Sequence, residues 1–293
     1  MGDVTLGVDV SDVIARLALV RGPEVVSSGI VAANKPLAIT DAAKKALSGA
    51  GGKVSAAAVA LPSAADSIAA DLADALVAAG AGSVCAIAAG DAAAVAEQHC
   101  GAAVGATQIV AFSIAEHVTA GVLLHGQPWR GAHGLASTIG WMALNPVERE
   151  DYRRHGSLEA EVASAGIVKR FVWRIKSGDR SRVAELVNGD VAKITAADVL
   201  QGARSGDGVS ISVVRDTAKY IGMAVANLVT MFDPEIVVLG GMIASSGDVM
   251  LEAIRTETTR RLLPQQAGQV RVILSTLGDD AVAIGSALAA GRP

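Results

Sequence analysis

A chain of 293 residues with a formal net charge of −4, 51% hydrophobic and 18% charged, has enough apolar material for two compact lobes and lies far from the composition of disordered chains. Its basic residues form nothing more concentrated than the mixed run Arg149 to Arg154, which disfavours a nucleic-acid role driven by phosphate contacts. Aromatic residues are only 3% and much of the apolar content is alanine, so backbones can approach closely while few large rings remain for stacking on bases or sugars.

Three short β-branched runs open the chain, at 4–10, 15–20 and 24–31, and predict an antiparallel meander. Helical spacing at 38–49, a strand at 54–60, an Ala/Leu helix at 64–79 and a strand at 83–88 follow. Strands that alternate with helices after a hairpin add in parallel to the same sheet, which predicts a β-β-β-α-β-α-β lobe. Asp91 opens a helix through 100, with its side chain expected at the N-cap. Gly101 to Gly105 has the composition of a linker.

The plan then repeats in outline, with strands at 107–114 and 118–124, a glycine-rich stretch at 131–140 and helices at 157–176, 182–188, 195–203 and 208–231. A strand at 235–239, a helix at 247–261, a strand at 269–274 and a helix at 279–290 complete it. The expected division is a small lobe at 1–105 and a larger one at 106–278, with the closing helix at about 279–291 packing back on the first. Cys85 and Cys100 lack metal-ligand spacing and are expected to be buried thiols. No apolar run is long enough to span a bilayer, and Met1 leads directly into a strand, so the expected location is the cytoplasm.

Three segments carry a family resemblance. Gly7-Val8-Asp9-Val10-Ser11-Asp12-Val13-Ile14 is similar to a phosphate hairpin of the form G-x-D-x-G-G-T-K. The run from Gly131 to Trp141 is similar to R-G-A-x-G-x-A-G-E-I-G-H. Asp233-Pro234 through Leu239-Gly240-Gly241, with the later Ala281 to Ala287, is similar to N-P-x-x-I-V-L-G-G and a closing A-x-x-G-A-A helix. In order and spacing the chain resembles the ROK family of bacterial sugar kinases. The resemblance implies an α/β, two-lobed actin-like ATPase fold of the duplicated ribonuclease H-like kind, with nucleotide and sugar in an interlobe cleft, and a homodimer or tetramer.

Carried over residue by residue, the resemblance implies that Asp91 is the general base for the attacking sugar hydroxyl, in the place of the aspartate of N-D-x-N. It also implies that Asp9 orients magnesium, that Ser11 and Asp12 occupy the phosphate hairpin, and that Gly240 and Gly241 let a nucleoside approach the backbone. Ser245 or Ser246 could cap the helix after that glycine pair. Thr138, Trp141 and Glu159 stand at sugar-contacting positions, although filling the core or plugging the pocket is the expected role of Trp141. Glu159 can equally serve its helix dipole.

The departures set the functional expectation. Ser11, Asp12 and Val13 replace the hairpin's glycines and threonine, and Glu116 enters the second phosphate loop. A carboxylate about 4 Å from a phosphate costs about 4 kcal/mol at an effective dielectric near 20, although an Asx-type turn is the simpler role for Ser11 and Asp12. The zinc-ligand cysteines of the family are replaced by Glu150, Tyr152 and Ser157, so no structural zinc is expected. These changes predict a non-catalytic or very weakly active homologue. The alternative is an active, glucokinase-like hexose kinase using ATP and magnesium with Asp91 as base. A family repressor is disfavoured because no helix-turn-helix precedes the strand at Val4.

Overall fold

The computed structural model describes residues 3–11, 14–31, 35–49, 54–62 and 67–291. Strands β1 (Val4–Asp9), β2 (Arg16–Arg21) and β3 (Glu24–Ile30) form the expected meander. Helix α1 (Pro36–Gly49), β4 (Val54–Leu61), α2 (Ala70–Ala78), β5 (Val84–Ala88) and α3 (Ala89–Cys100) follow. The five strands order as β3-β2-β1-β4-β5. β1 pairs antiparallel with β2 and parallel with β4, and β4 pairs parallel with β5, so the sheet is mixed as the hairpin-then-helix pattern requires.

A second five-stranded sheet, β10-β9-β6-β7-β8, is built from β6 (Ile109–Ile114), β7 (Val118–Leu124), β8 (Gln127–Pro128), β9 (Ile236–Gly241) and β10 (Arg271–Leu274). Between β8 and β9 lie α4 (Glu150–His155), α5 (Ser157–Val162), α6 (Ser164–Lys176), α7 (Arg182–Leu186), α8 (Ala196–Arg204) and α9 (Gly208–Phe232). The short α10 (Met242–Ser245), α11 (Gly247–Thr259), the short α12 (Pro264–Ala267) and α13 (Ala281–Ala290) complete the chain.

Two compact units divide it: 1–112 with 119–138 and 275–293, and 113–118 with 139–274. In the first, β1 is buried along its whole length and α13 lies directly on it. A Cβ on Gly7 would fall 1.9 Å from the carbonyl oxygen of Ala283, and one on Gly285 would fall 1.7 Å from that of Ala92 in α3. The small side chains of α13 therefore bring three backbones into direct contact and fix the position of α3.

The helix expected at 157–176 is broken. α5 ends at Val162, Ala163 after it is extended, and α6 starts at Ser164. Ser164 donates both its N–H and its hydroxyl to the carbonyl of Ala115 at 3.1 Å, which ties the break to the turn between β6 and β7. Among the described residues no helix is long and apolar enough to cross a membrane.

Candidate functional site

Asp91 is not an N-cap. α3 begins two residues earlier, with Ala88 at its N-cap and no side-chain cap bond, so Asp91 falls in the first turn with its carboxylate left for other partners. The early start is possible because Gly90 lies against β7. A Cβ on Gly90 would be 1.9 Å from the oxygen of Ala120, and one on Gly121 would be 2.0 Å from the oxygen of Gly90. No side chain that contacts sugar fits at position 90 without moving one of these backbones.

Asp91 is 4% exposed. Nε of Arg130 donates to its Oδ2 at 3.4 Å, while the guanidinium remains about half exposed. Burial pushes the carboxyl up to about 6, against the charge and hydrogen bond of Arg130, which pull it down. A buried carboxyl that titrates just below neutrality, with a single guanidinium to orient it, has the chemistry of a general base for a hydroxyl. Arg130 is the residue that sequence analysis missed. Its signal was the leading arginine of the R-G-A motif, immediately before Gly131.

At the end of β1, Oδ1 of Asp9 accepts the N–H of Ser11 at 2.9 Å and its hydroxyl at 2.6 Å. Both donors of Ser11 are thus engaged within the turn. Asp12 and Val13 lie outside the described residues.

In the other unit, Glu159 sits in the first turn of α5, and its oxygens have partners. Oε2 accepts the N–H of Val118 at 2.9 Å, and Oε1 lies 3.3 Å from Nδ1 of His117. Gly140 packs on Glu159, and Gly156 packs on Gly140 and Trp141, which groups Glu159 with the 3₁₀ turn Ile139–Trp141. Trp141 itself is 60% exposed, so of its two expected roles, filling the core or plugging the pocket, the first is not met: its turn is held by the buried Ile139 and Gly140 and leaves the indole outside. Thr138, in the first unit, is exposed and donates its hydroxyl to the carbonyl of Leu135 at 3.0 Å.

Gly240 and Gly241 have a packing reason of their own. Gly241 has φ +63°, and a Cβ there would be 2.2 Å from the oxygen of Ile114, while Gly240 faces Ser113. Ser246 occupies the N-cap position of α11 without a side-chain cap bond, and the Ser245 hydroxyl donates to Met242, so neither serine caps as expected.

At the positions of the zinc ligands, the Tyr152 hydroxyl donates to the buried Glu161, Glu150 pairs with Arg154 at 2.5 Å, and Ser157 is buried. Among the described residues no group of three or more His, Cys, Asp or Glu side chains is placed to hold a metal ion. The cysteines are not buried thiols: Cys85 is exposed on the edge strand β5, and Cys100 at the end of α3 is partly exposed. Burial still raises both thiols above their ordinary value, against the charge of Arg130 at Cys85 and together with Glu97 at Cys100.

The ROK family model matches residues 55–292. The chain belongs to the ROK family. It is 30% identical over 187 residues to a glucokinase of Halalkalibacterium halodurans, a match that covers 63% of this chain and 56% of that protein. It is also 28% identical over 185 residues to a xylose repressor of Caldicellulosiruptor bescii, covering 61% of this chain and 45% of the repressor. The match thus spans about half the length of these curated relatives. Among solved structures, a ROK glucokinase from Streptomyces griseus in complex with glucose and AMPPNP superposes with a TM-score of 0.80 at 23% identity, over 98% of this chain and 99% of that one. The fold is the two-lobed actin-like fold of ROK structures, with its two mixed sheets.

Proposed function

We propose that this chain is a sugar-binding ROK-family protein of the kinase type, with the acceptor-side base in place and the phosphate side disabled, leaving it non-catalytic or very weakly active. The observation that carries this is at Ser11, whose N–H and hydroxyl both converge on Asp9, so the turn satisfies its own donors. Phosphoryl transfer depends on positioning and electrostatic stabilisation by such donors. Asp12 and the exposed Glu116 add negative charge to the two segments aligned with phosphate loops. The Ser11 turn therefore does not fit a phosphate, and the carboxylate of Asp9, which would orient magnesium, is already engaged with it. A hexose is the proposed small-molecule ligand, with Asp91, Thr138, Trp141 and Glu159 on its side, and a homodimer or tetramer is the proposed assembly.

A second reading, an active ATP-dependent hexose kinase, is favoured by one observation, the buried Asp91 with its Arg130 partner. In that reading Asp91 accepts the proton of the attacking sugar hydroxyl while Arg130 orients it. The third function found among relatives, repression at DNA, would need basic clusters that this chain lacks.

Calorimetric titration with ATP and magnesium, then with a panel of hexoses, separates the first two. The proposal expects hexose binding with nucleotide affinity weaker than millimolar. Micromolar nucleotide binding with hexose-dependent release of ADP, abolished by Asp91→Asn, would overturn it in favour of the active kinase.

A further inference from the structure

A cavity of about 720 Å³ opens among α4, α5, α6 and α9 in the second unit, apart from every residue assigned above to sugar or nucleotide. Its volume lies in the range of small-ligand pockets. Its walls combine three rings, Tyr152, Trp173 and Tyr220, with Leu144 and Met223. In a chain with only 3% aromatic residues this concentration is unusual. Tyr152 is buried and fixed by Glu161, whereas Trp173 is 66% exposed and presents its indole at the mouth.

The charges are unbalanced. Five cations line the cavity, Arg149, Lys169, Arg170, Lys219 and Arg261, against four acids, Asp151, Glu161, Asp216 and Glu257. Glu161 is buried and shared by Arg149 at 3.3 Å and Arg170 at 3.5 Å. Glu257 is likewise buried and shared by Arg261 and Arg260. Each buried carboxylate thus meets two guanidiniums, leaving donors over, since one guanidinium carries five N–H groups. The side chains of Arg149, Lys169, Lys219 and Arg261 are about half exposed or more; Lys169 pairs with Asp151 and Lys219 with Asp216, and each of the four carries more N–H donors than its one acid partner engages. A positive surplus here contrasts with the net charge of −4 on the whole chain.

We propose that this cavity is a second ligand site, for a small organic phosphate with a ring, of the hexose-phosphate class. The phosphate meets Arg149 and Lys169 at the rim, and the apolar face of the ring lies on Trp173 and Tyr220. Guanidinium and ammonium donors suit a phosphate, and an aromatic face suits the C–H face of a sugar.

The test uses the chain with Trp129→Phe and Trp141→Phe, in which Trp173 is the one remaining tryptophan and is excited selectively at the red edge, away from the two tyrosines. Glucose 6-phosphate should change Trp173 emission saturably, inorganic phosphate should bind at least about tenfold more weakly, and glucose should leave the emission unchanged. Arg149→Met with Lys169→Met, in a protein whose melting temperature is checked, should weaken glucose 6-phosphate at least about tenfold, while Asp91→Asn should not. Line broadening of the ligand in ³¹P NMR, lost in Trp173→Ala, gives a readout independent of fluorescence. The proposal is overturned if none of the phosphates gives a saturable change, or if the double variant binds undiminished.

Discussion

Asp91 and Arg130, separated by 39 residues, meet at 3.4 Å, one almost fully buried and the other half in solvent. Among the described residues the buried carboxylate has one cation to balance it, carried on a loop that leaves β8 through the left-handed Gly131. Arg130 thereby sets both the direction and the proton affinity of the candidate base. Arg130→Met should raise the Asp91 carboxyl further above about 6, and Arg130→Lys should restore part of the difference, as followed by ¹³C NMR titration of the aspartate carboxyls. An unchanged titration in Arg130→Met would show that the pair does not form in solution.

Asp91 also ties stability to pH. Its folded-state value is raised above that of an unfolded aspartate, so its contribution is fully present below about pH 4, is lost as pH rises towards about 6, and stays lost above that. Asp91→Asn removes the cost of burying the charge. At pH 7.5 it should be more stable than the parent by up to about 3 kcal/mol, with the difference vanishing near pH 4. Urea melts at a series of pH values check this, and a destabilised variant at pH 7.5 contradicts it.

Position 90 offers a contrasting case. Placing the family's asparagine there should not restore a sugar contact, because its Cβ meets the backbone of Ala120. Gly90→Asn is expected to destabilise the chain by about 3 kcal/mol or more and to weaken hexose binding, measured by thermal melting and calorimetry.

The turn after β1 makes the nucleotide prediction concrete. Ser11→Gly with Asp12→Gly removes the hydroxyl that Asp9 holds and one carboxylate from the hairpin. Affinity for ATP with magnesium should improve at least about tenfold, since a single like charge at close range is worth up to about 4 kcal/mol. No gain in calorimetry would mean that this turn does not face a phosphate.

The network at Glu161 ties Tyr152 of α4 to α5 and α6. Tyr152→Phe should cost about 1–2 kcal/mol, and Glu161→Ala about 3–5 kcal/mol because Arg170 would be left buried without its carboxylate. Chemical denaturation of the two variants tests the ranking, and addition of zinc should shift neither.

Periodicity was enough to read the meander, the alternating helices and the glycine pair after β9, because each is a local pattern. Much of the long-range packing was not legible. The start of α3 at Ala89 has no capping side chain to announce it and depends on Gly121, which lies on a different element. The break between α5 and α6 depends on Ala115, remote in sequence, accepting from Ser164. Burial is expected for Cys85, and a place in the core or in the pocket for Trp141, but an edge strand carries Cys85 outward and a 3₁₀ turn leaves Trp141 exposed. The pairing of Asp91 with Arg130 joins an element of the first half of the unit to the loop after β8, and no pattern within either segment encodes it.

The backbone contact between Gly7 and Ala283 has a consequence for biosynthesis. Within this sequence β1 is synthesised long before α13, which lies on it, so that face of β1 stays bare until Ala281–Ala290 has been made. Closure of such a distant pair is slow, and the uncovered face is a surface on which nascent chains aggregate. Holding factors that shield apolar strands during translation should therefore act on this protein between the synthesis of β1 and that of α13.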